Sequence, residues 1–308
     1  MVLCKLPSLS VIIPTKNRPS DLELTVQSLF QQTLAPRQLI IVDQSYTDES
    51  RQRVENQYTM APSRIQETLK LCHIWDSNIP GGAVARNRAM EIADGDIWVF
   101  LDDDVYLESD FLEQIVAVYL RHPQVSGVSG MITNYCRPSW TSRCWSWVFA
   151  RGPFHDERQP IYWQTDALRY AEPIPVNKFT GACMSFLAEL IRKHRFDENL
   201  RGLSVGEDID FCLRLKPGKI LVIAPRARLI HKQSPLERSR KHWLKREVQA
   251  AFYLYTRNWN KGVKNKLFFT WLIVGYAFLA TIASLRRRSV EPWRAFLEGT
   301  HDRSGDVT

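Results

Sequence analysis

The sequence lacks the motifs of several common enzyme and metalloprotein classes. It contains no GxxxxGKS or GxxxxGKT loop and no GxGxxG fingerprint, so neither a P-loop phosphotransferase nor a dinucleotide-dependent oxidoreductase is indicated. Its six cysteines are scattered, without a CxxC pair or a close Cys/His spacing. A zinc site is therefore not predicted, and isolated cysteines of this kind are typical of buried thiols in a reducing compartment.

We expect no secretory leader, and long apolar runs are scarce. Residues 1–6 are too short for a secretory core and are interrupted by Lys5, which predicts that the body of the chain stays in the cytosol. One run, 267–285, carries no charge and has roughly the length that crosses a hydrocarbon core. Lysines precede it and Arg286–Arg288 follow it, which predicts an anionic membrane surface as partner and leaves the topology open. The alternative is a helix buried in the core of a homo-oligomer.

The composition is that of a globular protein with an anionic partner. Of 308 residues, 44% are hydrophobic and 24% charged, and the net charge is +8, which by itself allows phosphate, nucleic acid or acidic lipid as partner. The basic residues from 238 to 266 lie beside the apolar run and form no known reader motif, so nucleic acid is not predicted. We divide the chain into a domain 1–236, with halves of about 1–124 and 125–236, and a basic, aromatic helical region 237–308.

Apolar runs alternate with helical patterns in the first 120 or so residues. The runs lie at 9–13, 39–42, 71–75 and 97–101, and this order predicts βαβ units in an open α/β sheet. The fourth run is apolar at every position, as expected for a strand covered on both faces. Periodicity weakens from 134 to 175, where Trp140, Trp145, Trp147 and Trp163 occur, and we expect aromatic loops that cover a site there.

Polar residues follow three of these runs. They are Thr15–Arg18, Asp43 and the triplet Asp102-Asp103-Asp104, and ligands of open α/β sheets gather at such strand ends. If strand geometry continues into the triplet, Asp102 and Asp104 point the same way and Asp103 the other. Two carboxylates on one side predict a site for Mg²⁺ or Mn²⁺. A solvated turn or a helix cap is the alternative.

Three further features carry a functional and a structural interpretation. Gly81-Gly82, with Arg86 one turn into the next helix, offers N–H groups and a guanidinium to a phosphate, or is simply a turn. Glu207-Asp208 opens a helix, where acids act as caps or where one carboxylate accepts the proton of an attacking hydroxyl. His231 is a candidate third metal ligand, although a solitary histidine is more often structural.

Together these segments resemble the family 2 glycosyltransferases with the GT-A fold, over about residues 9–235. The matching segments are SVIIPTKNRP, IIVDQSYTDES, GGAVARNRAMEIADGDIWVFLDDDV, TGACMSF, GEDIDFCLR and the later His231. The resemblance implies a Rossmann-like mixed sheet flanked by helices. It also implies inverting transfer of a sugar from a nucleotide-diphosphate sugar to a hydroxyl of a glycan or lipid-linked acceptor. Because Arg214 lacks the QxxRW context of the processive members and the chain has one long apolar segment, we expect transfer of a single sugar. The apolar run and its basic flanks predict that this occurs at the inner face of the cell membrane.

The resemblance also implies roles for particular residues. Those implied for the donor site are Pro14, Thr15, Arg18, Asp43, Arg86, Asp102 and Asp103. Asp102 and Asp104 would hold Mn²⁺ or Mg²⁺ with His231 as a further ligand, while Asp208 would be the catalytic base with Glu207 beside it. Where the family usually continues its second strand with Asn-Gly-Ser, this chain has Asp43-Gln44-Ser45.

Two other functions are compatible with the same residues. A nucleotidyltransferase also uses a nucleotide pocket and paired aspartates, but it releases pyrophosphate instead of a nucleoside diphosphate. A basic membrane adaptor that has lost turnover would keep the fold without activity, and the intact set of Asp102, Asp104, Asp208 and His231 argues against it.

Overall fold

The computed structural model describes residues 6–135, 138–155, 170–200, 206–215, 218–234 and 243–301. The strands of the described residues are β1 (Leu9–Thr15), β2 (Gln38–Asp43), β3 (Lys70–Trp75), β4 (Ile97–Leu101), β5 (Val105–Leu107), β6 (Val125–Ile132), β7 (Ile174–Val176), β8 (Cys183–Leu187) and β9 (Ile220–His231). They form one mixed sheet in the order β3-β2-β1-β4-β8-β6-β9-β5, with β7 paired to β9. This architecture confirms the predicted α/β class.

Helices cover the sheet and form the C-terminal part of the chain. They are α1 (Pro19–Phe30), α2 (Glu49–Thr59), α3 (Ser63–Thr68), α4 (Gly82–Ile92), α5 (Phe111–Arg121), α6 (Trp140–Phe149), α7 (Ala188–Ile191), α8 (Glu207–Leu215), α9 (Trp243–Asn258), α10 (Val263–Arg287) and α11 (Glu291–His301). The apolar side chains of the sheet and its helices form two large buried clusters, one on each face of the sheet.

The first four strands are parallel, as the alternating pattern predicted. β1 pairs with β2 on one side and β4 on the other, and β3 extends the sheet beyond β2. All five residues of β4 are buried, because helices cover both faces of a parallel sheet and leave no place for an exposed side chain. The carboxyl ends of β1, β2 and β4 therefore lie side by side.

Mixed pairing, parallel between β6 and β9 and otherwise antiparallel, then extends the sheet past the aspartate triplet. β8 pairs antiparallel with β4, with Leu101 opposite Cys183, and β6 and β9 follow. The short β5, which starts directly after Asp104, pairs antiparallel with the end of β9. The second half of the sheet thus brings residues of β8 and β9 close to the carboxyl end of β4.

The aromatic region after residue 134 is partly helical, and the prediction of loops there was wrong for residues 140–149. Ser139 caps α6 by accepting a hydrogen bond from the N–H of Ser142 at 3.2 Å. The indole N–H of Trp145 donates to the carbonyl of Gly275 in α10 at 3.0 Å. A Cβ added to Gly275 would lie only 2.5 Å from the side chain of Phe149, so α6 and α10 approach closely at this glycine. α6 has no fully buried residue, and it packs against a helix more than a hundred residues later in the chain. Trp163 lies outside the described residues.

The C-terminal helices pack on one another and on the sheet domain. The predicted apolar helix 267–285 lies within α10, which is long and apolar enough to cross a membrane. α9 and α11 flank α10 in sequence and contact each other, around a cluster that includes Val248, Leu272 and Phe296. α9 also contacts the sheet domain, where Tyr253 and Arg257 both reach Asp197. The predicted domain boundary at residue 236 lies outside the described residues.

Candidate active site

Strand pairing brings His231 to the aspartate triplet. Val105, the first residue of β5, lies opposite His231 at the end of β9, and the N–H of Lys232 donates to the carbonyl of Asp104 at 2.9 Å. The side-chain amide of Asn134 brackets His231 by donating to its carbonyl and accepting from its N–H. The backbone therefore fixes the imidazole beside the triplet.

Asp102, Asp104 and His231 form the candidate metal centre. One ligand atom from each lies within 4.8 Å of the others. Nε2 of His231 lies 3.0 Å from Oδ1 of Asp104 and 3.9 Å from Oδ2 of Asp102. The two carboxylates thus face the same side, as the alternation of side chains predicted.

The chemistry of this cluster fits a divalent cation. Among the described residues, Nε2 of His231 makes no hydrogen bond with acceptable angles although it is buried. Nδ1 of the same ring lies 3.0 Å from the hydroxyl of Tyr135. A proton on Nδ1 that is donated to Tyr135 leaves the lone pair on Nε2 directed at the carboxylates, which is the tautomer that a metal ligand needs. Two carboxylates and one imidazole are suitable ligands for Mn²⁺ or Mg²⁺.

Asp103 points away from this cluster, toward the end of β1. Its carboxylate accepts hydrogen bonds from the hydroxyl of Thr15 at 2.7 Å and from the guanidinium of Arg18 at 3.0 Å. Burial raises the pKa of Asp103 to about 7, and Arg18 and Thr15 oppose that rise by stabilising the charged form. Arg18 also lies 3.9 Å from Asp104, so it balances part of the negative charge of the triplet.

Asp43 is buried at the end of β2 and organises the loops around it. Its carboxylate accepts from the N–H of Ser45 at 2.9 Å and lies 3.4 Å from Nε2 of His73. Ser45 in turn accepts from the N–H of Asn17, whose φ of 52° lies in the left-handed region that asparagine tolerates better than most residues. Pro14 pairs with Val42 just before these loops. This end of the sheet therefore holds a fixed, buried carboxylate.

Arg86 joins the triplet to the start of α8. Its guanidinium donates to Oδ1 of Asp102 at 3.1 Å and to Oε1 of Glu207 in a short contact. Burial opposes the charge of Arg86, but Glu207 and Asp102 outweigh burial and raise its pKa. Burial is also the main reason that the pKa of Glu207 is raised, while Arg86 opposes that shift. The pair is thus a buried ion pair that depends on both partners.

Gly81 precedes α4, and Gly82, the first residue of α4, lies against this ion pair. Gly81 has φ of 123°, a conformation that is strained for other residues. A Cβ on Gly82 would lie 3.0 Å from both Nη1 of Arg86 and Oε1 of Glu207. The structural interpretation of this pair of glycines is therefore supported, because the pair leaves room for the contact between α4 and α8.

Asp208 and Gly181 complete the candidate active site. A Cβ on Gly181 would lie 3.9 Å from Oδ1 of Asp102 and 4.0 Å from Oδ2 of Asp208. Antiparallel pairing of β4 and β8 puts Gly181 there, because the N–H of Asp102 donates to the carbonyl of Ala182. The absence of a side chain at Gly181 leaves a space onto which Asp102 and Asp208 both face.

The structure thus collects the site residues implied by the sequence in two adjacent groups. One group, around the metal centre, contains Asp102, Asp104, His231, Arg86, Glu207 and Asp208. The other, at the ends of β1 and β2, contains Pro14, Thr15, Arg18, Asp43 and Asp103. Tyr135 and His73 were not among the site residues expected from the sequence. Gly181 belongs to the matching segment TGACMSF, but no role was expected for this glycine.

We expect Glu207→Gln to destabilise the fold by about 3 kcal/mol, since removal of one partner leaves a buried charge without full compensation. Asp102 keeps one contact to Arg86, which places the expected cost at the lower end of the range for such pairs. Urea denaturation monitored by circular dichroism measures the change. In the exposed pair of Arg51 and Glu55 on α2, Glu55→Gln should change the stability far less, because exposed ion pairs contribute little. Equal effects of the two substitutions would contradict the buried pair.

The family model of glycosyl transferase family 2 matches residues 10–192. Glucosyl-dolichyl phosphate glucuronosyltransferase of Haloferax volcanii is 29% identical over 136 residues, which cover 44% of this chain and 40% of that protein. Validoxylamine A glucosyltransferase of Streptomyces hygroscopicus subsp. limoneus is 26% identical over 225 residues, which cover 68% of this chain and 48% of that protein. The chain therefore spans less than half the length of each of these two relatives.

Solved structures show the same fold. The mannosyltransferase PcManGT from Pyrobaculum calidifontis, in complex with GDP-Man and Mn²⁺, superposes with a TM-score of 0.59 at 20% identity, over 97% of this chain and 88% of that chain. The resemblance found in the sequence is thus confirmed, together with the GT-A architecture. Because the family model matches more than half of the sequence, the chain belongs to glycosyl transferase family 2.

Proposed function

We propose that the protein transfers a single sugar from a nucleotide-diphosphate sugar to an acceptor hydroxyl with inversion, in the assembly of a glycan. The observation that carries the proposal is that Asp102 of the candidate metal centre and Asp208 both face the space at Gly181. Sugar transfer requires positive charge beside the diphosphate and a base beside the acceptor hydroxyl. A cation at the candidate metal centre would supply the first, and Asp208 would supply the second. PcManGT, which was solved with GDP-Man and Mn²⁺, has the same fold and supports this choice of ligands.

In this mechanism Asp208 accepts the proton of the acceptor hydroxyl. The acceptor oxygen then forms a bond to the anomeric carbon as the bond from that carbon to the donor phosphate breaks. The nucleoside diphosphate leaves with the electron pair of the broken bond, and attack from the opposite side inverts the anomeric centre.

Asp102, Asp104 and His231 would hold Mn²⁺ or Mg²⁺, which when bound supplies positive charge to stabilise the leaving diphosphate. Arg86 lies against Asp102, so its guanidinium adds positive charge near the leaving diphosphate. Glu207 fixes the direction of Arg86 through their ion pair, and we therefore assign Glu207 a positioning role. Asp43, with Pro14, Thr15 and Arg18 nearby, is assigned to the nucleoside part of the donor.

A thermal-shift screen of UDP-, dTDP- and GDP-sugars, each with and without Mn²⁺, tests the donor site. The matching donor should stabilise the protein by about 2.7 kcal/mol at a concentration of 100 times its Kd, and only with the metal present. Analysis of the released product separates the alternatives. A glycosyltransferase releases a nucleoside diphosphate, whereas pyrophosphate would indicate a nucleotidyltransferase and no turnover would indicate an adaptor.

We also propose that α10 attaches the protein to the cytoplasmic face of a membrane. Its exposed apolar side chains are Leu267, Trp271, Val274, Phe278 and Leu285, here called the α10 stripe. Their spacing places them on one face of the helix. Arg286, Arg287 and Arg288 follow the stripe and are exposed, which favours an anionic lipid surface. Tryptophan is enriched at membrane interfaces, and exposed Trp140 and Trp147 of α6 lie on the neighbouring helix.

The packing of α10 favours a helix that lies in the interface over one that spans the bilayer. One face of α10 is packed against protein through Phe269, Leu272 and Tyr276. α9 and α11, which precede and follow α10, contact each other, and Lys245 of α9 lies 3.5 Å from Glu298 of α11. If α10 spanned the bilayer, these charged helices would have to separate or enter hydrocarbon, which is costly.

Val274→Glu should weaken binding to vesicles that contain anionic lipid by about tenfold or more, since burial of a valine contributes about 1.5 kcal/mol or more. The new carboxylate also repels the anionic surface. Co-sedimentation with vesicles measures the effect. Leu120→Glu, which makes the same kind of change at an exposed position of α5, is the control and should bind as the wild type does. Unchanged binding of Val274→Glu would exclude the α10 stripe as the attachment surface.

A further inference from the structure

A large apolar cavity lies between the C-terminal helices and the candidate active site. Its volume is about 740 Å³, and α6, α9 and α10 form most of its walls. The volume falls within the range of pockets that bury most of a drug-sized ligand. The residues of the metal centre do not line this cavity, so it is separate from the proposed donor site.

Aromatic and aliphatic side chains form the interior of the cavity. Trp145 and Phe149 line it from α6, Leu254 from α9, and Leu279 and Ile282 from α10. Transfer of an apolar group from water to such surroundings is favourable in proportion to the area buried. The interior therefore suits a long hydrocarbon chain better than a sugar.

The lining of the cavity includes residues at the start of α8. Gly206 and Ile209 line it, and these two residues flank Glu207 and Asp208 in sequence. Lys178 lines it as well, and its side chain is buried with the ammonium group donating to the carbonyl of His155 at 2.9 Å. A cation is thus located where the apolar interior ends and the candidate catalytic helix begins.

The cavity also borders the surface proposed to contact the membrane. Phe278 belongs both to the cavity lining and to the α10 stripe. Two exposed arginines, Arg143 and Arg286, line the cavity there, and Glu247 is the acidic residue among the described lining residues. The net charge of the lining is positive, which favours an anionic amphiphile over a neutral one.

We propose that this cavity binds the hydrocarbon chain of an acceptor lipid that carries a phosphate group. The chain enters from the bilayer beside Phe278, the phosphate lies near Lys178, and the acceptor hydroxyl extends to Asp208. This inference rests on the proposed function, which supplies Asp208 as the base. It goes further by naming a lipid phosphate as the acceptor class and by locating its chain.

Photoaffinity labelling of the full chain with farnesyl phosphate that carries a diazirine on its terminal isoprene unit tests the proposal. Mass spectrometry of the labelled peptides should place the cross-links on α6, α9 and α10 within the cavity. Unmodified farnesyl phosphate should compete at least tenfold better than farnesol or phosphatidylglycerol. Cross-links confined to the α10 stripe, or equal competition by phosphatidylglycerol, would show a bilayer contact only and overturn the proposal.

Ala251→Phe places a large side chain into the cavity from α9 and should lower labelling at least tenfold. Ser146→Phe acts in the same way from α6 and serves if the first variant does not fold. Ala117→Phe, at a half-buried position of α5 that does not line the cavity, is the matched control and should label within twofold of the wild type.

The donor assay separates failure of this proposal from failure of the proposed function. Both cavity variants should keep the metal-dependent thermal shift with the nucleotide sugar, because the donor site is separate. A wild-type protein that shows this shift but no cavity labelling would refute the lipid site and leave the proposed function standing. A wild-type protein without the shift for any donor would remove both.

Discussion

Asp208→Asn is expected to lower kcat for sugar transfer by about 10²- to 10⁴-fold, the usual contribution of a positioned general base. Asparagine has nearly the same shape as aspartate but does not accept the proton of the acceptor hydroxyl. Binding of the donor should be retained, since the side chain of Asp208 is on the acceptor side of the opening at Gly181 in this proposal. Steady-state kinetics with saturating donor, together with the donor thermal shift, measures both quantities.

Asp210→Asn provides a control on the same helix. Its carboxylate is buried and contacts Arg214 at 2.8 Å and Asn258 at 3.0 Å, so we assign it to the packing of α8. This substitution should lower the free energy of unfolding and leave kcat within about twofold. If instead Asp208→Asn retains kcat within tenfold of the wild type, the base is a different group.

Asp104→Asn is expected to remove the metal-dependent stabilisation by the donor and to lower kcat/KM by about 100-fold or more, since a bound cation contributes several kcal/mol to stabilisation of the transition state. The metal-free protein should keep its stability within about 1 kcal/mol, because the asparagine oxygen still accepts from the N–H of Ser234. The substitution also removes one of three neighbouring negative charges. Thermal shifts over a Mn²⁺ titration and initial rates measure the two effects.

Asp94→Asn is the matched control for the metal centre. Asp94 precedes β4, whereas the triplet follows β4, so the two lie at opposite ends of this strand. The exposed carboxylate of Asp94 lies near Arg37 and Lys70. Exposed ion pairs contribute about 1 kcal/mol or less, so this variant should bind metal and donor as the wild type does. An Asp104→Asn protein that keeps the full metal-dependent shift would show that the cation binds elsewhere.

Several features of the fold could be predicted from local sequence patterns. The apolar run at 97–101 became β4 with the predicted bounds, because five consecutive apolar residues are stable only where both faces of a strand are covered. The helix at Glu207 was also predicted, and it begins at that residue. The helix at 140–149 was not, because its stability comes from contacts to α10, which lies more than a hundred residues later in the chain.

The candidate site was predictable only in part for the same reason. The triplet was identified by its position after a buried strand, whereas Tyr135 belongs to a loop with no periodic pattern. Glu207 was predicted beside the base as a catalytic group, yet its carboxylate contacts Arg86. That contact joins two helices far apart in sequence, and no spacing rule predicts it.

The sequence alone determined the α/β class, the strand ends that carry Asp43 and the aspartate triplet, and the apolar character of α10, because these properties depend on residues that are neighbours in the chain. The tertiary structure decided which of those residues meet. Pairing of β5 with β9 placed His231 at the triplet, and pairing of β4 with β8 placed Gly181 beside Asp102. The physical reason is that such contacts join distant segments through backbone hydrogen bonds, whose partners depend on the register of the whole sheet and not on any local pattern.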